Sequence, residues 1–540
     1  MPHIITRRSF LKAGAQTAFG VGLASLMNVP PFLKRALAEG SIGINGKKLI
    51  FIFLRGGNDG INNVLPALDP SYENNRALIK ILKDPALDYS AATGQCDVQP
   101  SNYPYAMRLG NGFAALNPAL ADLAPVFNAG DLAVVHRVGY RSLSRSHFDS
   151  ERYWEKATDG VSANNRLVGD GVWYRTIVES GWNLNHALSG VSLQSNMPQS
   201  LRGSQPMTNL SSVGRYNLLG VAGGTYSTNS TTFNNDRIKL LNAIEAANFQ
   251  PRPGKDNREL VYNLSAAFQD TLDVFQDPSF VNATFFDDNG STNLFPTAAA
   301  QDQTIAFGAP INNVSKIGSG GYGFMGQVKS CAQILNGTDA IITGTEIGGW
   351  DTHTGQVTQG SSFAGAQANL LRRVGWAYHA LWKYFTLYGK GGPRATPGAK
   401  VGWDDVIVVT MSEFGRTSAE NASMGTDHAE ASVMYIAGGG VSGGVYGCDE
   451  TPNPKLGGEL NWIRGTTGKT GSLFTADTNV GYLRRSIDYR SVIGEIIRDH
   501  LGATQSQLNR IIPAYANPAE ALQNGGVVSS TKIMGELGIV

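Results

Sequence analysis

The sequence contains little cysteine. Only three of its 540 residues are cysteines, Cys96, Cys331 and Cys448, and they lie far apart along the chain. This spacing excludes a Cys-x-x-Cys redox or zinc motif. In an oxidising compartment three cysteines permit one disulfide with one thiol left over, but the spacing does not indicate which two would pair.

An excess of charge of one sign is also missing. Lys and Arg together number 44 and Asp and Glu 43, so the net charge is only +1. A protein dedicated to nucleic acid carries a basic patch or stripe, and this balance argues against one. We therefore expect no nucleic-acid partner.

Long hydrophobic runs are absent as well. The weakly apolar stretch near the N-terminus, residues 13–29, contains Gly14, Gln16 and Thr17. It is shorter and more polar than the roughly 20 mostly apolar residues that a membrane-spanning helix needs. No second run is long enough, so we expect a soluble mature protein with no stable membrane span.

The N-terminus does contain the features of an export signal, in the right order. Arg7 and Arg8 are followed by a polar residue and then by Phe-Leu-Lys, the pattern that the twin-arginine export machinery recognises. The weakly apolar stretch comes next, and Ala36-Leu37-Ala38 places small residues where signal peptidase requires them. A basic amphipathic helix that happens to contain two arginines does not account for this order. We predict a twin-arginine signal peptide over residues 1–38, cleavage before Glu39, and a periplasmic or secreted mature protein.

The export route bears on the chemistry of the protein. The twin-arginine machinery carries folded proteins, and proteins that acquire a metal in the cytoplasm commonly use it. Because the free energy of metal binding is also free energy of folding, metal loading and folding occur together. The signal therefore favours a metal site in the mature chain without requiring one.

Short apolar runs alternate with helical patterns in the mature chain. Each run is nearly continuous, as in strands that are buried on both faces of a parallel sheet. Strands that alternate with helices predict a doubly wound α/β fold, with a mostly parallel sheet and helices on both faces. The predicted strands are Leu49–Leu54, Leu132–Val135, Val406–Met411 and Val433–Ala437, and the main predicted helices are Ala114–Phe127 and Phe363–Tyr388.

Residues 160–330 differ in composition from the rest of the chain. They are rich in Asn, Ser, Thr and Gly, as in Ser227–Thr232, and contain one helical pattern, Arg237–Phe275. We expect residues 39–540 to form one α/β domain, with 160–330 inserted as a cap over the catalytic edge of the sheet.

The first predicted strand is followed by a glycine-rich acidic segment. Residues 55–60 are Arg-Gly-Gly-Asn-Asp-Gly. An acidic side chain at the carboxyl end of a buried strand lies where open α/β sheets bind ligands, and glycines allow the sharp turn. Asp59 is therefore a candidate metal ligand. The alternative is an ordinary Asn-Asp-Gly turn between a strand and a helix.

A second segment combines an acid with a histidine. Asp351 and His353 lie two residues apart in Gly-Gly-Trp-Asp-Thr-His. At this spacing both side chains can point the same way, as two ligands of one ion do. The alternative is a hydrogen-bonded turn.

A third group surrounds two neighbouring strands. Glu413 follows the strand Val406–Met411, and Asp427 and His428 come just before the strand Val433–Ala437. Carboxylates and imidazoles brought together at one sheet edge suit a divalent ion such as zinc or manganese. The alternative is a hydrogen-bonded Asp–His pair in a loop.

A serine-rich segment follows the strand Leu132–Val135. It contains Ser142, Ser144, Ser146 and His147 just before a helical pattern. A hydroxyl at the start of a helix is a candidate nucleophile if a metal or a base activates it, and Arg145 with His147 can hold an anionic oxygen. It is equally an ordinary N-cap, a position that Ser commonly occupies. We favour Ser146 or Ser144 as the nucleophile and name His147 as a catalytic candidate.

These motifs, in this order, resemble the bacterial family called domain of unknown function 1501, whose members are often exported by the twin-arginine route. The matching segments are LIFIFLRGGNDGINNVLP, SRSHFDSERYW, GGWDTH, VIVVTMSEFGRT, GTDHA, GGGVSGGVYG and SIDYRSVIGEI. That family in turn looks like a branch of the alkaline phosphatase superfamily, which includes phosphatases, sulfatases and cofactor-independent phosphoglycerate mutases.

The resemblance implies an alkaline-phosphatase-like fold with one or two divalent ions, such as zinc, manganese or calcium, at the carboxyl edge of the sheet. It also implies a Ser, Thr or modified Cys that attacks a phosphate or sulfate ester. By resemblance the metal ligands are Asp59 on the first strand, Asp351 with His353, Glu413 in place of the Asp of an Asp-His pair, and the late histidine His428.

Two departures from the superfamily pattern concern the metal and the nucleophile. Phe414 stands where the His of the Asp-His pair is expected, so one ligand of a second ion is missing, unless Asp427 and His428 form that pair. The sulfatase signature, Cys followed by x-Pro-Ser-Arg, is absent, which argues against a formylglycine sulfatase.

The sequence thus predicts an exported metal-dependent hydrolase of phosphate or related esters, with a small-molecule or polysaccharide ester as substrate. The alternative is a catalytically inactive periplasmic binding protein on the same fold, with an anionic or carbohydrate ligand.

Overall fold

The computed structural model describes residues 42–99, 103–161, 168–213, 277–297, 319–466 and 481–540, with short gaps inside these ranges and a few residues between them. The predicted signal peptide and most of the predicted 160–330 insertion, including nearly all of Arg237–Phe275, lie outside the described residues.

The strands of the described residues fall into one large sheet and several small ones. In chain order they are β1 (Lys48–Arg55), β2 (Val64–Pro66), β3 (Met107–Arg108), β4 (Ala114–Leu116), β5 (Leu132–Gly139), β6 (Gly190–Leu193), β7 (Thr208–Leu210), β8 (Ile342–Gly348), β9 (Val406–Ser412), β10 (Gly415–Arg416), β11 (His428–Ala429), β12 (Ser432–Ala437), β13 (Gly444–Tyr446), β14 (Ile487–Asp488), β15 (Gly526–Val528) and β16 (Thr531–Ile533).

The α-helices of the same residues range from one turn to six. They are α1 (Gly60–Asn63), α2 (Pro70–Asn75), α3 (Ala124–Asn128), α4 (His147–Lys156), α5 (Val172–Ser180), α6 (Pro278–Val281), α7 (Tyr322–Gly337), α8 (Ala366–Leu387), α9 (Tyr489–Glu495) and α10 (Gln505–Ile511). A π-helical turn, Ile496–His500, continues α9.

Among the described residues, the central sheet has nine strands and is mostly parallel. Its order is β13-β5-β12-β9-β1-β8-β6-β7, and β14 pairs with β5. Of these nine described strands, only β12 runs against its neighbours, β5 and β9. The predicted mixed α/β fold with a mostly parallel sheet is therefore confirmed.

Strand β1 lies at the middle of this sheet because both of its faces are apolar. Successive side chains of a strand point to opposite faces, so a strand buried on both sides is hydrophobic throughout. One face packs into the larger hydrophobic core and the other into the second core on the opposite side of the sheet; the residues are Ile50, Ile52 and Leu54 on the first face and Leu49, Phe51 and Phe53 on the second.

One predicted strand has the opposite direction. Val433–Ala437 was expected in a parallel sheet, but β12 is antiparallel to β9. The reason is the connection: β9 ends at Ser412 and β12 begins at Ser432, with no helix between them. A parallel return needs a crossover of a dozen or more residues, usually a helix, so the chain turns at the same edge and runs back.

The prediction of one helix over Ala114–Phe127 is wrong. Residues 114–116 form β4, a 3₁₀ helix covers Pro118–Leu123, and α3 follows. The side chain of Asn117 caps the 3₁₀ helix by accepting from the N–H of Ala119, and Pro125 lies in the first turn of α3, which begins at Ala124. Proline removes a backbone donor and so divides the apolar pattern into separate elements.

The other long helix prediction is confirmed. Phe363–Tyr388 corresponds to α8, which has 22 residues and buries Leu371, Val374 and Leu381 against the core. Within the described parts of the chain, no helix combines the length and the hydrophobicity needed to cross a membrane.

All three cysteines are free thiols and are buried. The disulfide that the composition permits is therefore not formed. Burial disfavours the thiolate and raises the pKa of Cys96 and of Cys331.

Candidate metal centre

Four segments of the chain meet at the carboxyl edge of the central sheet. Strand β8 leads into Asp351 and His353, and β9 leads into Glu413. Strand β5 leads through a short loop to His147, the first residue of α4. His428 begins β11, which pairs with β10. Parallel strands end at the same edge, and this brings distant parts of the sequence together.

The carboxylate of Asp351 lies at the centre of this group. Its Oδ1 is 3.1 Å from Nε2 of His353 and 3.2 Å from Nε2 of His428. Its Oδ2 is 3.4 Å from Nε2 of His147. Ligand atoms of His147, Asp351 and His428 all lie within 4.8 Å of one another. We call His147, Asp351, His353 and His428 the histidine cluster.

The second nitrogen of each ring contacts a hydrogen-bond acceptor. The Nδ1 distances are all 2.8 Å: to Oε1 of Glu413 from His147, to Oδ1 of Asp427 from His353, and to the carbonyl oxygen of Arg145 from His428. Carboxylates and carbonyls can only accept, so each Nδ1 carries the hydrogen and donates it. Nε2 of each neutral ring then has a free lone pair, as in metal-binding histidines.

The lone pairs of two rings face each other. Nε2 of His353 is 2.9 Å from Nε2 of His428. Two lone pairs at this distance repel unless a cation lies between them or one ring takes up a proton. Ligand atoms around a tetrahedral zinc ion, with bonds of about 2.0–2.1 Å, lie about 3.3 Å apart. The donor set and its spacing therefore fit one divalent cation.

Arg416 holds Asp351 in place. Its guanidinium is fully buried and donates to Oδ1 of Asp351 at 2.6 Å. It also donates to four backbone carbonyls, those of Gly56, Gly57, Trp350 and Thr426. One side chain thus joins the loops that follow β1 and β8 to the loop that precedes β11.

These contacts determine the charge states in the cluster. Burial alone would raise the pKa of Asp351, but the hydrogen bond and the positive charge of Arg416 oppose it, and the pKa is lowered to about 2. The hydrogen bond to Glu413 raises the pKa of His147. Burial lowers the pKa of His428. Asp351 is therefore ionised and His428 neutral at neutral pH, the states in which both can bind a cation.

Glu413, which the sequence predicted as a ligand, lies behind His147. It is fully buried, and its Oε1 accepts from Nδ1 of His147 and from the N–H of Gly56, the latter at 2.7 Å. Its Oε2 has no hydrogen-bond partner among the described residues. In this position Glu413 orients the imidazole, and Asp427 does the same for His353.

Asp59 is paired with an arginine. Arg76 donates to both of its carboxylate oxygens, at 2.6 and 3.0 Å, and both side chains are fully buried. Gln356 also donates to Asp59 at 2.7 Å, and it accepts from the hydroxyls of Thr352 and Thr426. These threonines belong to the two loops that carry the histidines. The structure thus connects Asp59 to the cluster through Gln356.

The candidate serines lie beside the cluster. Ser146 is the N-cap of α4, and its Oγ accepts from the N–H of Asp149 at 3.4 Å. Oγ of Ser144 accepts from the N–H of Ser146 at 3.2 Å. Among the described residues, no hydrogen bond joins either hydroxyl to the histidine cluster. Ser146 is nevertheless exposed and immediately precedes His147.

An open cleft of about 670 Å³ adjoins the cluster, and its walls include His353, His428 and Arg145. This volume is within the range of small-molecule sites, about 300–1,000 Å³. A second cavity, of about 490 Å³, contains no residue of the cluster. Solvent and a small ligand can therefore reach the histidines.

Sequence reasoning missed three residues that hold the site together. Arg416 lies inside the segment SEFGRT, but nothing in that motif indicates that it bonds Asp351. Arg76 and Gln356 belong to no motif, and only the structure brings them to Asp59. His147 was proposed for catalysis, and the structure brings it to the proposed ligands.

The family comparison agrees with the resemblance drawn from the motifs. The model of a family described as protein of unknown function (DUF1501) matches residues 46–454. The chain belongs to this family. The match covers β1 through β13 and every residue of the histidine cluster. Comparisons with curated proteins and with solved structures gave no match.

Proposed function

We propose that this protein is an exported, metal-dependent hydrolase of phosphate or related esters on an alkaline-phosphatase-like fold. The observation that carries the proposal is the orientation of three histidines, each of which donates Nδ1–H and turns Nε2 toward Asp351. Histidines that bind metals are held in this way by carboxylates, carbonyls or water.

The charges of the site support a divalent ion. The contacting side chains include the carboxylates of Asp351, Glu413 and Asp427 and the guanidinium of Arg416. With neutral imidazoles, two negative charges are left uncompensated, and one divalent ion would balance them. Imidazole ligands suit zinc or manganese better than calcium, which takes oxygen ligands.

We assign His147, Asp351, His353 and His428 as the metal ligands. A divalent ion supplies Lewis-acid chemistry, because it polarises an ester oxygen and lowers the pKa of a nearby hydroxyl. Glu413 and Asp427 keep the protons of His147 and His353 on Nδ1, so that both rings keep Nε2 free.

The remaining groups have roles in binding and attack. Ser146 offers an exposed hydroxyl next to His147, and we assign it as the nucleophile, with Ser144 as the second choice. The deprotonated hydroxyl would attack the ester phosphorus in line, and the bond from phosphorus to the leaving alcohol would break. Water would then cleave the phosphoserine, which frees phosphate and restores the serine hydroxyl. The side chain of Arg145 lies on the wall of the cleft, where it is placed to hold an anionic group of the substrate.

The alternative is a catalytically inactive binding protein on the same fold, for an anionic or carbohydrate ligand. One observation favours it: within the described residues, Ser144 and Ser146 have no hydrogen bond to a base in the cluster. A measurement of ester turnover therefore distinguishes the hydrolase from the binding protein.

Metal analysis tests the proposal first. Protein folded in the cytoplasm is expected to contain about one equivalent of zinc or manganese. Asp351→Asn, which preserves an acceptor for Arg416, and His428→Ala are expected to lose it. Elemental analysis of each purified protein measures the stoichiometry, and a wild-type protein without metal would contradict the proposal.

Turnover separates the enzyme from the binding protein. The metal-loaded protein is assayed with an aryl phosphate, a phosphodiester and an aryl sulfate, and Ser146→Ala is expected to abolish the activity. Bound metal without turnover of any of these esters would favour the binding protein.

Export is tested separately. Replacing Arg7 and Arg8 by lysine is expected to keep the protein in the cytoplasm, because the machinery requires the arginine pair. Immunoblots of cytoplasmic and periplasmic fractions measure the distribution, and unchanged export of the double variant would contradict the signal assignment.

A further inference from the structure

We propose that the cleft beside the histidine cluster binds a second anionic group of the substrate. The preferred esters would then carry a carboxylate or another anion in addition to the ester phosphate. This inference deepens the proposed function and rests on it for the position of the reacting group.

Two cationic side chains of the cleft wall have no carboxylate partner. Arg145 and Lys469 are exposed, and neither forms an ion pair with a described residue. Within the same residues, the side chain of Arg145 has one hydrogen bond, to the hydroxyl of Tyr482 at 3.4 Å. Both charges are therefore open to a ligand.

The two acidic side chains of the same wall are already engaged. The carboxylate of Glu420 accepts from the N–H groups of Leu78 and Ile79 at 2.8–3.1 Å. Asp427 accepts from Nδ1 of His353 at 2.8 Å and from Asn421 at 3.3 Å. Both carboxylates are thus engaged by hydrogen-bond donors of the protein, whereas Arg145 and Lys469 remain open to an anionic ligand.

The cleft is also larger than the reacting group requires. Only the part of its wall that contains His353 and His428 belongs to the histidine cluster. Among the described residues, the rest of the wall includes the hydroxyl side chains of Thr417 and Tyr482 and a single aliphatic side chain, Ala419. Such a wall suits a polar and charged leaving group better than an apolar one.

A divalent ion at the cluster would polarise an oxygen of the reacting phosphate, so this group has its own partner at the histidines. Arg145 and Lys469 are then left for a second anion, which guanidinium and ammonium groups bind through charge-assisted hydrogen bonds.

Three phosphonates of matched chain length test the proposal, because their carbon–phosphorus bond is not hydrolysed. They are propylphosphonate, 3-phosphonopropionate and 2-aminoethylphosphonate, with a neutral, an anionic and a cationic end. Isothermal titration of the metal-loaded full chain at constant ionic strength measures each affinity. We expect the carboxylate-ended probe to bind about fivefold to tenfold more tightly than the neutral one, and the amine-ended probe to bind most weakly.

Two variants assign the effect to the cleft. Arg145→Gln and Lys469→Gln are each expected to reduce the preference for the carboxylate-ended probe. The matched control is Lys390→Gln, an exposed lysine beyond the end of α8 and outside the cleft, which is expected to keep the preference. Equal affinity for the three probes, binding of none of them, or a preference unchanged in both cleft variants would overturn the proposal.

Comparing binding with turnover separates the two proposals. If the protein prefers the anionic probe but hydrolyses no ester, the result supports anion binding in the cleft and contradicts the proposed hydrolase activity. If the protein hydrolyses esters without any preference for an anionic leaving group, the result supports the hydrolase activity and contradicts anion binding in the cleft.

Discussion

Two groups of charged side chains, one around Arg490 and one around Asp351, differ in how completely their charges are matched. Arg490 is fully buried, with Asp488 and Glu520 each at 2.9 Å. Arg141 extends the group, at 3.0 Å from Glu520 and from Asp159. In this group each arginine contacts carboxylates, and each carboxylate contacts an arginine.

The group around Asp351 is organised differently. The side chain of Asp351 is 46% exposed, and among the described residues three imidazoles meet there with one guanidinium, that of Arg416. Nε2 atoms of His353 and His428 face each other, an arrangement that the folded chain alone does not favour. A matched buried network maintains the fold, whereas an unmatched and accessible group marks a place for a ligand.

Breaking the matched group is expected to give the largest effect on stability. Asp488→Ala leaves the buried charge of Arg490 partly uncompensated, and this loss costs about 3–5 kcal/mol. Urea unfolding of the metal-free protein measures it. The metal stoichiometry of this variant is expected to stay unchanged. A variant that loses metal but keeps its full free energy of unfolding would show that the Arg490 group serves metal binding rather than stability.

The stability of the protein at low pH provides a second test of the group around Arg490. Although burial opposes ionisation, the charge of Arg490 lowers the pKa of Asp488 in the folded protein. A lowered pKa contributes stability above the unfolded value, about 3.9, and this contribution is lost as the pH falls toward the folded value. Asp488→Asn is therefore expected to lose less stability than the wild type below about pH 4.

Removing a ligand from the unmatched group is expected to affect metal binding instead. His353→Ala should weaken metal affinity by more than about 100-fold, because it removes a direct ligand rather than an outer contact. The free energy of unfolding of the metal-free protein should change by less than about 1 kcal/mol, since the ring is 40% exposed and its loss relieves the contact with His428.

The matched control for this ligand is His186→Ala, a histidine outside the cluster. Competition with a chelator measures both affinities. Equal affinities in the two variants would remove His353 from the ligand set.

Changing a residue that contacts a metal ligand, rather than the ligand itself, should reduce metal affinity less. Asp427→Asn keeps an oxygen near His353 but removes the negative charge, so metal affinity is expected to fall by about 10–100-fold. The same competition measurement applies. A loss as large as that in His353→Ala would instead indicate that Asp427 binds the metal itself.

The smallest expected effect concerns the cap of α4. Ser146→Ala removes the side-chain acceptor of a helix N-cap, which contributes about 0.5–2 kcal/mol, and the 3.4 Å bond places it at the low end. Urea unfolding measures the change, and metal stoichiometry is expected to remain the same. Ser146→Thr serves as a control because it keeps a capping hydroxyl.

Much of the framework could be predicted from the sequence. Residues 49–54 are apolar at every position and residues 406–411 at every position except Thr410, so their place inside a sheet follows from local composition. Glu413, which follows β9, could be located at the sheet edge for the same reason. Strand β8 itself was missed, because ITGTEIG contains polar residues and glycines that make it unlike a buried strand.

Other features depend on partners far away in sequence. Asp59 and Asp351 both follow central strands, yet each has a different arginine as its partner. No local pattern distinguishes them, because Arg76 lies in a loop after α2 and Arg416 in β10. The antiparallel direction of β12 was missed because an apolar run does not specify strand direction.

The sequence by itself determined the composition of the core, the mixed α/β class and the family, because these depend on local hydrophobicity and on motifs in a fixed order. Only the tertiary structure decided which carboxylates are matched by arginine and which meet the histidines. It also decided that His147 joins Asp351, His353 and His428, since residues from four segments meet only when parallel strands end at one edge.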